Sequence, residues 1–74
     1  MNATVKDFIE ALPKKNSLTP VELAGVFGKT DGYAILAEIR RGRIAASHVG
    51  SQFFISHAEA VRYLESTAFI PEEA

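Results

Sequence analysis

The chain has no cysteine. Disulfides, cysteine-held zinc and thiol nucleophiles are excluded for these residues, and a cytoplasmic setting fits best. No apolar run approaches the roughly 20 residues that cross a bilayer. The opening Met1-Asn2-Ala3-Thr4-Val5 lacks a basic-then-apolar signal pattern. No membrane partner is therefore expected. Histidine is scarce too, with only His48 and His57. Neither lies in a recognisable hydrolase triad. His57 and Glu59 are two apart at a helix start and so diverge, and His48 has no ligand-type neighbour. An ordinary surface or capping role is the expectation for both. Gly25, Gly28, Gly32, Gly42 and Gly50 do not fall into a phosphate-loop spacing. No enzymatic activity, cofactor or metal is expected.

What is present is enough for one small domain, 1–74. Of the 74 residues, 47% are hydrophobic, which argues for a folded chain. A chain this short is only marginally stable alone. Formal net charge is −1, whereas nucleic-acid-binding domains are usually basic. The distribution is uneven, however. No acidic residue lies between Ile39 and Ala58, where Arg40, Arg41, Arg43, His48 and His57 all fall. Glu59, Glu65, Glu72 and Glu73 follow against Arg62 alone. A basic middle of this kind can present a local patch.

Val5, Phe8, Ile9 and Leu12 form one apolar stripe at helical spacing. Thr4 can cap that helix and Pro13 stops it. Residues 1–17 thus read as an N-terminal helix and a polar linker. Thr19-Pro20-Val21-Glu22 is a capping box with proline at the first helical position. Val21, Ala24 and Phe27 share a face, with Leu23 beside it. Gly28 suits the left-handed residue that ends a helix. Only Lys29 and Thr30 precede the next start, where Thr30 or Asp31 caps and Ile35, Leu36 and Ile39 are the buried face. Arg40 and Arg41 complement the helix dipole and Gly42 closes the helix. Two helices so joined read as helix-turn-helix.

Ile44–Val49 and Gln52–Ile55 read as strands about the tight turn Gly50-Ser51. Phe53 and Phe54 are adjacent, so they face opposite sides and one belongs to the core. Ser56-His57-Ala58-Glu59 reads as a second capping box, opening a helix with Ala60, Val61 and Leu64. The core motif spans 18–65. In the tail, 66–74, Phe69, Ile70 and Pro71 are expected to pack back on the core.

The layout points to double-stranded DNA. A helix-turn-helix places the start of its second helix at base edges. Lys29, Thr30, Asp31 and Tyr33 stand there. Lys29 can reach a phosphate, and Thr30 and Tyr33 carry hydroxyls for phosphate or base contacts. Asp31 can cap the helix or accept from a cytosine amino group. The same residues also suit a plain turn and cap. Arg40, Arg41 and Arg43 are the densest positive cluster, for phosphates or as a solvated helix end. His48, Ser51 and Gln52 flank the hairpin tip, where a wing can enter a minor groove.

Leu18-Thr19-Pro20-Val21-Glu22-Leu23-Ala24 with Phe27-Gly28 resembles the opening of the excisionase and MerR-like winged-helix group. Arg41-Gly42-Arg43-Ile44-Ala45-Ala46 and His48-Val49-Gly50-Ser51-Gln52-Phe53-Phe54-Ile55-Ser56 resemble its turn, wing and next helix start. The resemblance covers about two thirds of the chain. It implies an α+β winged helix-turn-helix with a two-stranded wing and, here, an added N-terminal helix. It implies a nucleoid-associated DNA-binding accessory protein that bends DNA, self-associates along it and directs a tyrosine integrase toward excision of a mobile element. Carried over by position, the recognition helix begins near Thr30 and the wing contacts fall on His48, Ser51 and Gln52. Asp31-Gly32-Tyr33 stand where the family usually has serine and arginine, and His48 and Gln52 where it often has arginines. A small transcriptional regulator is the alternative on the same surface. Near-neutral charge, Asp31 and the weakly basic wing support a further alternative, a winged helix used as a protein-interaction module.

Overall fold

A computed structural model of the chain describes residues 3–67. The expected packing of Phe69, Ile70 and Pro71 lies outside them. The order of elements is α1 (Ala3–Ala11), β1 (Ser17–Leu18), α2 (Pro20–Gly25), α3 (Tyr33–Arg40), β2 (Ser47–Val49), β3 (Gln52–Ser56) and α4 (His57–Ser66). The class is α+β, with four helices and a three-stranded antiparallel sheet among the described residues. This order is compatible with a winged helix-turn-helix.

Strand β1 is an addition to the expected layout, which had its residues in and beside a polar linker. It pairs with β3, Ser17 opposite Ser56 and Leu18 opposite Ile55. The His57 amide also donates to the Asn16 carbonyl at 3.0 Å. β3 is therefore central, with β2 on its other side. β2 is shorter than expected. Ile44 lies outside any strand, yet is buried in the core.

Each helix boundary has a local cause. α1 begins at Ala3, so Thr4 lies inside its first turn rather than at its cap. Thr19 and Glu22 form the expected capping box: the Glu22 amide donates to Thr19 Oγ1 at 3.2 Å and the Thr19 amide to Glu22 Oε1 at 2.9 Å. At the second expected box only half forms. Ser56 Oγ accepts from the Glu59 amide at 3.0 Å, but the Glu59 carboxylate turns to the Ala45 amide and Arg62. Gly28 and Gly42, each at φ +79°, close α2 and α3. Lys29 and Arg43 amides reach back to the Ala24 and Glu38 carbonyls, and the two glycine amides to Gly25 and Ile39. Those paired bonds satisfy carbonyls that helix ends leave open.

The core draws on nearly every element. Leu12, Leu18, Leu23, Ala24, Ile35, Ile44, Ile55, Ala60 and Leu64 form one buried cluster. A fully buried aliphatic side chain contributes about 1.5–3 kcal/mol. α1 packs on α4, and α2 on both α3 and β3. Two expected inward residues differ. Val21 is exposed and Phe27 sits at the surface, edge-on to Phe8 with centroids 5.1 Å apart. Neither Phe53 nor Phe54 is a core residue; both are half-buried, and Ile55 is the strand's buried side chain.

The α2–α3 junction is closely packed. Gly32 is buried, and a Cβ there would meet Pro20 Cβ at 3.0 Å and the Pro20 C and Val21 N atoms at 3.1 Å. Its φ of −102° suits any residue, so contact alone demands glycine. Gly32→Ala requires Pro20 and Val21 to give by a few tenths of an ångström, an overpacking expected to cost about 1–3 kcal/mol. Urea denaturation measures it. An unchanged midpoint would mean that the junction has room to yield.

Candidate nucleic-acid interface

Helix α3 starts at Tyr33, three residues later than expected from Thr30, with Gly32 as its N-cap. Neither Thr30 nor Asp31 occupies that position. Asp31 still serves the helix start, because its Oδ1 accepts from the Tyr33 amide at 3.1 Å. A carboxylate there also complements the positive end of the helix dipole. Asp31 is thereby engaged with the backbone.

From that start the helix turns two faces outward and inward. Ile35 is buried and Ile39 packs against the core. On the opposite side Tyr33, Ala37 and Arg40 recur at i, i+4 and i+7, one stripe of the helix surface. Tyr33 is 76% exposed, and Arg40 is exposed with no ion pair among the described residues. Ala37 was not among the sequence candidates. Its spacing from Tyr33 is the signal that identifies it.

The hairpin brings its tip to the same end of α3. Val49 faces Gln52 across the two-residue turn, and His48 faces Phe53. Ser51, Gln52 and Phe53 border a shallow depression of about 290 Å³ with Val21, Gly32 and Leu36. Phe53 thus lies between the hairpin and the helix pair. His48 stacks on it with centroids 4.2 Å apart and rings 13° from parallel. His48, Ser51 and Gln52 are all exposed.

The candidate residues divide over two flanks. Lys29, Arg41 and Arg43 border a depression of about 640 Å³ with Phe27, Ala34 and Glu38, while Ser51 and Gln52 border the one described above. Glu38 partly neutralises the cations beside it. Its Oε2 accepts from Arg41 at 3.0 Å, and its Oε1 lies 3.6 Å from Arg43 and accepts from Tyr63 Oη at 3.2 Å. Burial alone raises the Glu38 pKa, but the bonds from Arg41 and Tyr63 and both arginine charges outweigh it, and it falls below the usual value. Tyr63 moves up, by burial first and then by the Glu38 charge. The ten sequence candidates therefore do not meet on one face. Thr30, Asp31, Tyr33 and Arg40 belong to the start and outer stripe of α3, and Ser51 and Gln52 adjoin its inner edge.

A clip not expected from the sequence sets the base of the hairpin. Arg62 donates from Nε to Glu59 Oε1 at 2.8 Å, and from Nη2 to Glu59 Oε2 and the Arg43 carbonyl at 2.7 Å each. Glu59 Oε2 also accepts from the Ala45 amide at 2.9 Å. The segment between α3 and β2 is thereby tied to α4. Charge-assisted bonds of this kind are the stronger class. The i, i+3 spacing of Glu59 and Arg62 is the one local hint.

Among the described residues no cluster of three or more histidine, aspartate or glutamate side chains can hold a metal ion, and no helix is long and apolar enough to cross a membrane. Compared with protein-family models, curated proteins and solved structures, the chain matches none.

The clip carries a pH dependence. The Arg62 bonds first, and the Ala45 amide second, lower the Glu59 pKa from 4.5 to about 2. The folded carboxylate therefore holds a proton less readily than the unfolded one. Its stabilisation is present above pH 4.5 and is lost as the pH falls toward 2. Glu59→Gln lowers stability at neutral pH by about 1–2 kcal/mol and flattens this acid limb. Thermal unfolding at a series of pH values reads both effects. A variant profile parallel to the parent would assign the acid sensitivity to other carboxylates.

Proposed function

We propose that the chain binds double-stranded DNA as a winged helix-turn-helix, with α3 in the major groove and the β2–β3 hairpin as its wing. One observation carries this reading. The starts of α2 and α3 are held together at Gly32 and Pro20, and the hairpin tip lies against that same end. The outward stripe of exposed Tyr33 and Arg40, with half-buried Ala37 between them, is then the surface offered to base edges and phosphates. A small Ala37 between the two larger residues lets the helix backbone approach the groove. Asp31, bound to the Tyr33 amide, is positioned to cap rather than to read bases. Gln52 and Ser51 supply wing contacts.

The resemblance to excisionases supports a narrower version. The protein acts by architecture, bending DNA, placing copies side by side and engaging a tyrosine integrase, with no catalysis of its own. Affinity of a single copy is low, because Glu38 offsets part of the charge of Arg41 and Arg43.

The arrangement ranks the arginines. Arg40 is unpaired among the described residues, whereas Arg41 and Arg43 are held by Glu38 on the flank. Each phosphate contact contributes about 0.9 to the slope of log affinity against log salt. Arg40→Gln lowers that slope by about 1, and Arg41→Gln or Arg43→Gln lowers it less. Fluorescence anisotropy on a duplex at several salt concentrations measures all three. Absence of affinity for any duplex at low salt would remove the DNA reading. In that outcome the exposed apolar residues Val21, Tyr33 and Val49 favour the interaction-module reading.

A further inference from the structure

The charged cluster on the flank of α3 includes a residue that the outward stripe does not use. Tyr63, from α4, is half-buried and packs against the core. Its hydroxyl donates to Glu38 across 25 residues of chain. Both Glu38 oxygens are engaged. Oε1 accepts from Tyr63 and faces Arg43 Nη1 at 3.6 Å, and Oε2 accepts from Arg41 Nη1 at 3.0 Å.

Exposure within this cluster is unequal. The Glu38 side chain is 13% exposed, against 62% for Arg41 and 66% for Arg43. The carboxylate is therefore the fixed part, anchored through Tyr63, and the two guanidinium groups are the part that a solute can reach. Glu38, Arg43 and Tyr63 also border depressions of about 560 and 640 Å³, which leave open space beside the pair. On α3, Glu38 directly follows Ala37. One residue of helix turns about 100°, so this charge stands beside the stripe of Tyr33, Ala37 and Arg40 and not within it. An anion bound by Arg41 or Arg43 must take the guanidinium group from a carboxylate already paired with it. A duplex approaching the stripe meets the same negative charge.

Resting on the DNA reading above, we propose that Glu38 sets the affinity for duplex DNA by occupying Arg41 and Arg43 in the free protein, and that Tyr63 is the positioning residue that holds Glu38 there. A DNA phosphate exchanges with the carboxylate instead of meeting two open arginines. Arg40, with no ion pair among the described residues, makes its contact without that exchange. The fold thereby holds back a sequence-independent attraction that the arginines alone would supply.

Fluorescence anisotropy on one mixed-sequence duplex over a salt series tests both roles. Glu38→Gln keeps the shape of the side chain and removes its charge. It is expected to raise affinity at low salt by about 3–10-fold, the scale of one or two exposed charge interactions. The slope of log affinity against log salt steepens by about 1–2, as phosphates engage the two freed arginines. Tyr63→Phe gives a smaller change in the same direction, and none in the Glu38→Gln background, because it acts only through Glu38. Glu10→Gln, exposed on α1, removes an equal charge elsewhere and leaves the slope unchanged. A parent that binds the duplex with the same slope as Glu38→Gln overturns the role of Glu38 and leaves the DNA reading standing. An equal gain from Glu10→Gln also overturns it, by assigning the effect to net charge. Additive effects of Tyr63→Phe and Glu38→Gln overturn the role of Tyr63. If urea denaturation shows that Glu38→Gln does not fold, Tyr63→Phe decides alone, and an unchanged slope overturns the proposal. A parent with no affinity for any duplex at low salt removes the DNA reading itself, and this proposal with it.

Discussion

The approach of Gly32 to Pro20 and Val21 is the constraint on which the rest of the arrangement rests. Helix α2 enters with proline at its first position, whose ring replaces an amide that would have no helical partner. That ring also presents a flat apolar surface at the helix start. α3 begins directly against it, with only a hydrogen where other residues carry a methyl group. Once the two starts are in contact, Ile35 is directed into the core beside Leu23 and Ala24, and Leu36 faces the hairpin. Phe53 then occupies the angle between hairpin and helices. The outward direction of Tyr33 and Arg40 follows from this packing, because a helix with one buried stripe has its opposite stripe set.

Charges serve the same end. Glu22 meets Lys15, Glu38 holds Arg41 and Arg43, and Glu59 holds Arg62. The Lys15 bond is the main reason that Glu22 lies below its usual pKa, with the Thr19 amide next. Exposed pairs contribute little each. Here the Lys15 pair joins the linker to α2, and the Arg41 and Arg43 pairs join the post-α3 segment to α3. Hydrogen bonds from Arg62 to the Arg43 carbonyl and from the Ala45 amide to Glu59 tie that segment to α4. A residue count that finds an acid-free stretch from Arg40 to His57 takes no account of Glu38 and Glu59 at its two sides. In the fold those two carboxylates turn inward on that stretch. The positive surface is consequently smaller than composition suggests, and Arg40 is its most available member on α3. On the proposed reading this favours weak binding by one copy, strengthened when neighbours share a duplex.

Local features were readable from the chain itself. The Thr19–Glu22 capping box, the helix-ending Gly28 and Gly42, the Gly50-Ser51 turn and the stripe of α1 all involve partners within a few residues. Their geometry is a property of the local backbone, and it survives in the fold. The Ser56 box shows where such reasoning stops. The half in which Ser56 Oγ accepts from the Glu59 amide is local and forms, whereas the Glu59 carboxylate is drawn to the Ala45 amide, a contact that the local pattern does not contain, as well as to Arg62. The start of α3 shifted for a related reason. Thr30 and Asp31 are good capping types, but the position of the first turn was decided by where Gly32 fits against Pro20.

By itself the sequence determined the order of helices and hairpin, the main punctuation between them and most of the buried set. Hydrophobic period, glycine and proline act over one or two turns of chain. Tertiary structure alone decided the third strand, since Ser17 and Leu18 gain their ladder only when Ile55 and Ser56 lie alongside. It also decided which cations stand apart. The Glu38–Tyr63, Arg62–Arg43 and Glu59–Ala45 bonds span 25, 19 and 14 residues of chain. Partners so distant in sequence are brought within hydrogen-bond range only by packing of the core.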